Sequence, residues 1–413
     1  MLPLEQARAA VEQHAASVAA TEPELVEIAH ASGRVLAESL VADRDFPPFP
    51  RSARDGYAVR AADVGRVPVQ LKITGESKAG AAPETIPAEV HSGEAVVIMT
   101  GAPAPAGADA VVMVEYTARE GDRVEVRKSA VAGENVVPRG SEGRKGEVLL
   151  ERGARLNAAG IALAASLGKS SLRAHQLPRV AILATGDEIV DIGAEPGPHQ
   201  IRNSNSYSLA AQVRGAGGLP VILPIAPDEP VQLRHLIEEG LAADLLLLAG
   251  GVSMGKYDLV EQVLEELGAE FFFTGALIQP GRPVVFGRAR EKYFFGLPGN
   301  PVSTMVTFEL FARPLVEGLA GARVSPLRFF SVRLKREIKV RPGLTRFLPG
   351  LLSGQLGQIE VELAPWQGSG DIAGTARANC YVVVPPDRER IGAGEMVEVW
   401  NEKQTPAAKS ARN

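Results

Sequence analysis

Residues 245–249 read Leu-Leu-Leu-Leu-Ala and run straight into Gly250 and Gly251. Successive side chains of a strand point to opposite faces, so a strand that is apolar at every position must be covered on both sides. That requirement points to a sheet with helices on each face, and the surrounding sequence supplies them. From Arg179 to about Ala320, strand and helix patterns alternate. Strands are expected at 180–184, 220–224, 244–249, 271–273, 283–287 and 292–296. Helices are expected at about 206–214, 230–241, 259–267 and 301–319. Ligands of such sheets sit at the carboxyl ends of the strands.

The flanking sequence has other textures. Leu4, Ala7, Val11, Ala15 and Val18 recur at helical spacing, and a second helix is expected over 157–167, closed by Gly168. Between them, from about Val35 to Leu149, short alternating runs are split by Gly and Pro, as in an all-β segment. The tail from about Val324 to Trp400 returns to β texture and suggests a small barrel. The expectation is a multidomain α/β protein. It comprises a doubly wound, mostly parallel α/β domain (177–323), an inserted β domain (27–145), a small discontinuous helical segment (1–26 with 146–176) and a C-terminal β-barrel-like domain (324–402). Residues 403–413 read as a frayed tail.

Composition removes several function classes. The 413 residues carry 44 Lys plus Arg against 49 Asp plus Glu, a net charge of −5, which argues against general nucleic-acid binding. Cys380 is the only cysteine and the six histidines form no close pair, so neither a disulfide nor a zinc hydrolase site is expected. The first residues, Met1 to Glu5, show no basic stretch ahead of an apolar one, and no apolar run approaches the length of a membrane span. A cytoplasmic address is expected, with no membrane partner.

Three small-residue loops follow apolar strands: Thr185-Gly186-Asp187-Glu188, Gly250 to Asp258, and Gly296 to Ser303. Free N–H groups and the helix dipole at such turns favour an anion, and small residues let a phosphate come close. Gly250 to Lys256 has the spacing of a nucleoside-triphosphate loop, but Tyr257 stands where Ser or Thr should reach Mg²⁺. Acids cluster at the same strand ends: Asp187, Glu188, Asp228 and Asp258. Each has a plainer reading as well. Asp228 before Glu229-Pro230 could cap a helix, Asp258 with Glu261 resembles a capping box, Asn300-Pro301 an N-cap, and Asp55-Gly56 a turn. A carboxylate about 4 Å from a phosphate charge is repelled by roughly 4 kcal/mol at an effective dielectric of about 20. A cation between them removes the conflict, and Mg²⁺ takes such oxygen ligands. A phosphorylated substrate with a divalent ion is therefore expected.

Three further segments stand out. Asp45 to Ala58 is stiffened by Pro47, Pro48 and Pro50, and Met99 to Ala110 is a long small-residue turn. The basic run Arg328, Arg333, Lys335, Arg336, Lys339, Arg341 and Arg346 reads as a solvated strand face, with anion steering as the alternative.

Taken in order, Ser52-Ala53-Arg54-Asp55-Gly56-Tyr57-Ala58, Thr100-Gly101-Ala102-Pro103, Thr185-Gly186-Asp187-Glu188, Gly250-Gly251-Val252-Ser253, Gln279-Pro280-Gly281-Arg282-Pro283 and Leu297 to Ser303 resemble the molybdopterin molybdenumtransferase family, the MoeA type that includes the E domain of gephyrin. The likeness covers about Leu4 to Trp400. It implies a cytoplasmic homodimer of four-domain subunits whose α/β domain binds molybdopterin. It also implies insertion of molybdate into adenylylated molybdopterin with release of AMP, dependent on Mg²⁺, with molybdopterin adenylyltransferase as a candidate partner. By position, the resemblance implies catalytic roles for Asp55, Glu142, Asp228 and Asp258, with Asp228 and Asp258 as Mg²⁺ ligands. Substrate contacts fall to Thr100, Thr185, Gly186, Asp187, Glu188, Gly250, Gly251, Ser253, Gly281, Arg282, Pro298, Gly299 and Asn300. Several positions depart from the family's pattern: Arg54 stands for a Met and Arg282 for a Lys, and three more change the charge or its reach. Glu142 stands for an Asp, Gln279 for a Lys, and Gly275 for another Lys, so the oxyanion site keeps Arg282 but loses two cations. A non-catalytic cofactor carrier or scaffold and a molybdopterin adenylyltransferase are the alternative readings.

Overall fold

A computed structural model describes residues 1–251, 259–323, 327–355 and 357–401. The chain forms two compact units, one of residues 39–151 with 166–168, the other of the remainder.

The first unit is built on a six-stranded sheet in the order Ala110–Met113, Gly56–Val59, Glu94–Ile98, Val69–Ser77, Arg123–Val126, Thr117–Glu120. Neighbours are antiparallel except Val69–Ser77 with Glu94–Ile98. Gly56–Val59 is buried at every position, with Tyr57 and Val59 in one cluster and Ala58 in another, so apolar layers cover both faces. Gly56 is obligatory here, because a Cβ would collide with the Val112 carbonyl oxygen.

In the second unit the α/β sheet has strands β1 (Arg179–Ala184), β2 (Leu219–Ile222), β3 (Leu245–Ala249), β4 (Glu270–Thr274), β5 (Val285–Ala289) and β6 (Lys292–Leu297), in the order β2-β1-β3-β6-β5-β4. Only β5 runs against the others. Every residue of β3 is buried, as its sequence demanded. Helices Leu4–Ser17, Asn205–Ala216 and the segment from Pro301 to Leu319 pack on one face, and Pro230–Gly240 and Leu259–Glu266 on the other. The chain passes from β1 outward to β2 and returns across β1 to β3. The order therefore reverses between β1 and β3, the place where sheets of this kind bind ligands at their carboxyl ends. The segment expected as one helix over 301–319 is instead Pro301–Thr307, a π turn at Phe308–Ala312 and Arg313–Leu319.

Toward the C terminus, Phe330–Leu334, Thr345–Ser353, Glu360–Leu363, Cys380–Val384 and Met396–Trp400 form a closed barrel, the ring being completed by pairing of Thr345–Ser353 with Cys380–Val384. Thr345–Ser353 is also the strand that binds the barrel to the α/β region: Ile278–Gln279 pairs with Thr345–Arg346. Phe347, Tyr381 and Trp400 enter the core cluster of the α/β sheet. The tail expected to fray, 403–413, lies outside the described residues.

Candidate functional site

At this switch point the loops lock into one another. Ala184, Ala249 and Leu297 lie side by side at the carboxyl ends of β1, β3 and β6. Beyond them, Thr185 N–H donates to Ala249 O at 3.2 Å, Gly250 N–H to Leu297 O at 3.1 Å, and Gly186 N–H to Ala226 O at 3.2 Å. Gly250 and Gly251 have φ of 99° and 66°. A Cβ on Gly250 would stand 2.8 Å from Thr185 O, and one on Gly251 would stand 2.7 Å from Thr185 Oγ1. Those two positions thus require glycine for backbone conformation and for close approach together. Gly299 lies against Gly250. Sequence-expected residues Thr185, Gly186, Asp187, Glu188, Gly250, Gly251, Pro298, Gly299 and Asn300 therefore meet at one sheet edge.

Asp228 joins them from the end of β2. Its backbone N–H donates to Asp187 Oδ1 at 3.0 Å. The capping reading of Asp228 fails: Glu229 is the N-cap of Pro230–Gly240, its carboxylate accepting from Val231 N–H at 3.1 Å and Gln232 N–H at 2.8 Å. Relieved of that task, the Asp228 carboxyl is held above its ordinary range, first by burial, then by the charges of Asp187 and Glu188. Asn300 does occupy an N-cap position, but its side chain does not cap; Nδ2 donates to Ser369 Oγ at 3.0 Å. Asp258 and Ser253, and most of the loop with nucleotide-like spacing, lie outside the described residues.

The loop from Gly275 to Val284 sits at the same edge. Gly281 packs on Thr307 and near Ser303 O, beside the helix that starts at Pro301. Arg282 is exposed, with Nε 3.2 Å from Met1 Sδ. At Gly275, φ is 109° and a Cβ would stand 2.7 Å from Met1 Cγ and 3.3 Å from Arg282 O, so a residue with a side chain would be strained there. Arg346, which the sequence reading placed on a solvated face, is instead buried. It is 8% exposed, in register between Gln279 and Val384. Its Nη1 donates to Leu344 O at 3.3 Å, and no carboxylate pairs with it among the described residues. Burial lowers its proton affinity. The rest of that basic run is exposed as expected, with Lys335 and Arg336 paired to Glu362 and Lys339 to Glu337.

In the inserted unit, Asp55 Oδ1 accepts from Thr100 N–H at 2.6 Å and Thr100 Oγ1–H at 2.8 Å, and these bonds hold its carboxyl below the usual carboxylate range. Glu142 is engaged by Arg51 at 2.6 Å, and Arg139 by Asp45 at 2.7 Å.

Ser369 and Asn205 were missed by sequence reasoning. Ser369 O accepts from Val302 N–H at 3.0 Å, in a Gly-rich loop with no pattern of its own. Asn205 Nδ2 donates to Gly299 O at 2.7 Å. The run Asn203-Ser204-Asn205-Ser206 after the acidic loop was the available signal, since it offers four side chains for one helix start.

The fold is that of a multidomain α/β protein with glycine-lined loops at the switch point of its sheet. Residues 2–168 match the MoeA N-terminal region (domain I and II), 181–318 a family described as "Probable molybdopterin binding domain", and 331–401 the MoeA C-terminal region (domain IV). A molybdopterin molybdenumtransferase of Haemophilus influenzae is 34% identical over 97% of this chain and 98% of its own length. Molybdopterin molybdenumtransferase 1 of Mycobacterium tuberculosis is 35% identical, covering 93% of this chain and 96% of its own. The crystal structure of a MoeA protein of molybdopterin biosynthesis from Pyrococcus horikoshii superposes with a TM-score of 0.78, at 29% identity, covering 97% of this chain and all of that one. The chain belongs to the molybdopterin molybdenumtransferase (MoeA) family.

Proposed function

We propose that this chain is a molybdopterin molybdenumtransferase of molybdenum cofactor biosynthesis. It takes adenylylated molybdopterin and molybdate, releases AMP, and needs Mg²⁺. The observation that carries the reading is the juxtaposition at one sheet edge of a glycine cradle, Gly250, Gly251 and Gly299, with an acidic group, Asp187, Glu188 and Asp228, in which Asp228 is driven toward protonation. An anion cradle beside mutually repelling acids is favourable when a cation joins the two.

The donor set suits magnesium, being carboxylate oxygens only. Among the described residues no three acids or histidines converge as a ready-made metal cage. Magnesium usually takes one or two carboxylates and completes its shell with water and substrate phosphates. Bound there, it would polarise the phosphoryl oxygens. Asp228, with Asp187 and Glu188 beside it, is the described ligand that would hold it; Asp258, the other expected ligand, lies outside the described residues. Gly250, Gly251 and Gly299 let the pyrophosphate approach the backbone. Asn300, tied to Ser369, fixes the start of the Pro301 helix. Arg282 and the buried, acid-free Arg346 would receive the molybdate oxyanion, making good the cations lost at Gly275 and Gln279. Asp55, kept ionised by Thr100, would reach across the homodimer to orient a water or polarise the transferring group. A cytoplasmic homodimer supplied with substrate by an adenylyltransferase completes the reading. No helix among the described residues is long and apolar enough to cross a membrane.

The test is incubation of the purified protein with adenylylated molybdopterin, molybdate and Mg²⁺, with AMP and molybdenum-loaded cofactor as readouts. Stoichiometric ligand binding without AMP release would show a carrier instead. ATP consumption without molybdate would show an adenylyltransferase.

A further inference from the structure

Two buried polar atoms at the cleft have no hydrogen-bond partner among the described residues: the Thr185 hydroxyl and the Asn205 Oδ1. A folded protein rarely leaves such atoms uncompensated. Thr185 is 5% exposed, and its Oγ1 faces Gly250 and Gly251, 3.3 and 2.7 Å from where their Cβ atoms would stand. Asn205 opens the helix Asn205–Ala216 but does not cap it. Asn203 serves that turn, its Oδ1 accepting from Ser206 N–H at 3.1 Å and its Nδ2 donating to Ser206 Oγ at 3.0 Å. Asn205 is thereby free to reach across to the Gly299 carbonyl. A carbonyl oxygen can only accept, so this contact fixes which end of the amide faces it. The other end is then an acceptor, buried and unanswered.

We propose that Asn205 is a specificity-determining residue of the cleft, tying down the Gly299 loop through Nδ2 and offering Oδ1 to an N–H or O–H donor on the guest. A fully ionised phosphate has no such donor to give. The donor must come from the organic part of the ligand, either the amino–lactam edge of a pterin or a hydroxyl of a nucleotide ribose. Thr185 can donate or accept and so accommodates a phosphate oxygen as readily as an N–H; discrimination rests with Asn205. The inference rests on the proposed function and adds a residue that chooses the guest by its donors, not by its charge. A site that demands a donor rejects analogues lacking one more strongly than an apolar pocket rejects a wrong shape.

Three probes test it on the full chain with Mg²⁺: neopterin, by its fluorescence, and AMP and inorganic pyrophosphate, by calorimetry. Asn205→Ala also frees the Gly299 loop and so weakens pyrophosphate a little, but whichever of neopterin or AMP supplies the donor is expected to weaken about tenfold more than pyrophosphate does. The arm that falls identifies the source. Equal weakening of pyrophosphate would mean that Asn205 only positions the Gly299 loop, and would overturn the proposal. Asn205→Asp loses the donor to Gly299 but keeps acceptor oxygens, so it should hold the donor-bearing probe more tightly than the alanine variant. Equal loss in both variants refutes the acceptor role. A wild-type protein that binds none of the three probes overturns the proposed function itself. A wild type that binds, matched by an alanine variant that binds equally well, overturns the role of Asn205 alone.

Discussion

Asp55 and Asp228 are both exposed aspartates in sequence motifs that pointed to catalysis, yet the molecule treats them in opposite ways. In the inserted unit, Asp55 receives two neutral donors from Thr100 and is held ionised at lower pH than an ordinary aspartate. In the α/β region, Asp228 is partly withdrawn from water and faces Asp187 and Glu188, which hold it protonated to higher pH. A carboxylate served by N–H and O–H groups is oriented, ionised and electrostatically complete. One crowded by other acids is incomplete, and a divalent ion relieves it. The difference separates a positioning acid from a cation-binding one, which residue type and motif alone cannot do.

The strongest way to break this contrast is Asp228→Asn. If the residue holds the cation of the reaction, AMP release should fall by on the order of a hundredfold or more, as for lost metal-shell groups, with the fold intact. The stability effect should have the opposite sign. A carboxyl whose proton affinity is raised by folding weakens the fold when ionised. In the absence of divalent ions the variant should therefore melt higher than wild type at neutral pH. The two should converge as pH falls through the carboxylate range and Asp228 takes up its proton. A variant that melts lower at neutral pH would mean that Asp228, like Asp55, is stabilised by the fold in its ionised form.

Next in size is Gly251→Ala. The residue has φ of 66°, and an added Cβ would stand 2.6 Å from Val260 Cγ2 and 2.7 Å from Thr185 Oγ1. Left-handed backbone alone costs about 1–2 kcal/mol for a residue with a Cβ, and crowding adds to it. Urea unfolding should show that loss, and pyrophosphate affinity should fall with it if the loop is the cradle. The neighbouring acid sharpens the comparison in the other direction. Glu229→Ala removes a cap donating nothing to the cleft, so it should lower stability by about 1 kcal/mol while leaving AMP release unchanged. Asp228 and Glu229 are adjacent in sequence, and their variants should separate function from stability completely.

Much of this was readable beforehand wherever the signal is local. The all-apolar Leu245–Ala249 could only be a covered strand, and the glycines after it marked the crevice. Elements whose existence depends on distant partners were not. Thr345–Ser353 contains Pro349 and Gly350, which argue against a strand, yet it pairs with three others and is the longest of the barrel. Burial of Arg346 follows from that pairing, so a charge that reads as solvated became a buried cation. The π turn at Phe308–Ala312 holds Glu309, which is 2% exposed and meets Arg313 and Gln212; helical periodicity does not report such a network. Gly275 and Gln279 looked like simple losses of charge. Only the backbone shows that Gly275 has a φ that strains any side chain and that Arg346 stands beside Gln279. Asn205 reaches Gly299 across 94 positions, beyond any motif.

The smallest expected effect tests the completed half of the contrast. Thr100→Val deletes the hydroxyl that donates to Asp55 Oδ1 and leaves the Thr100 backbone N–H, the larger of the two influences, in place. The Asp55 carboxyl should then titrate closer to an ordinary aspartate without reaching it, as followed by carboxyl carbon resonances in NMR. The sign is fixed by the direction of the shift. A group whose folded affinity for protons is depressed stabilises the fold above the ordinary aspartate range and loses that contribution as pH falls through its folded midpoint. The variant should thus be slightly less stable than wild type at neutral pH and indistinguishable from it in strong acid, the reverse of Asp228→Asn at neutral pH. Should Asp55 titrate unchanged, the turn orients it through the backbone alone, and Thr100 would be needed for its hydroxyl elsewhere.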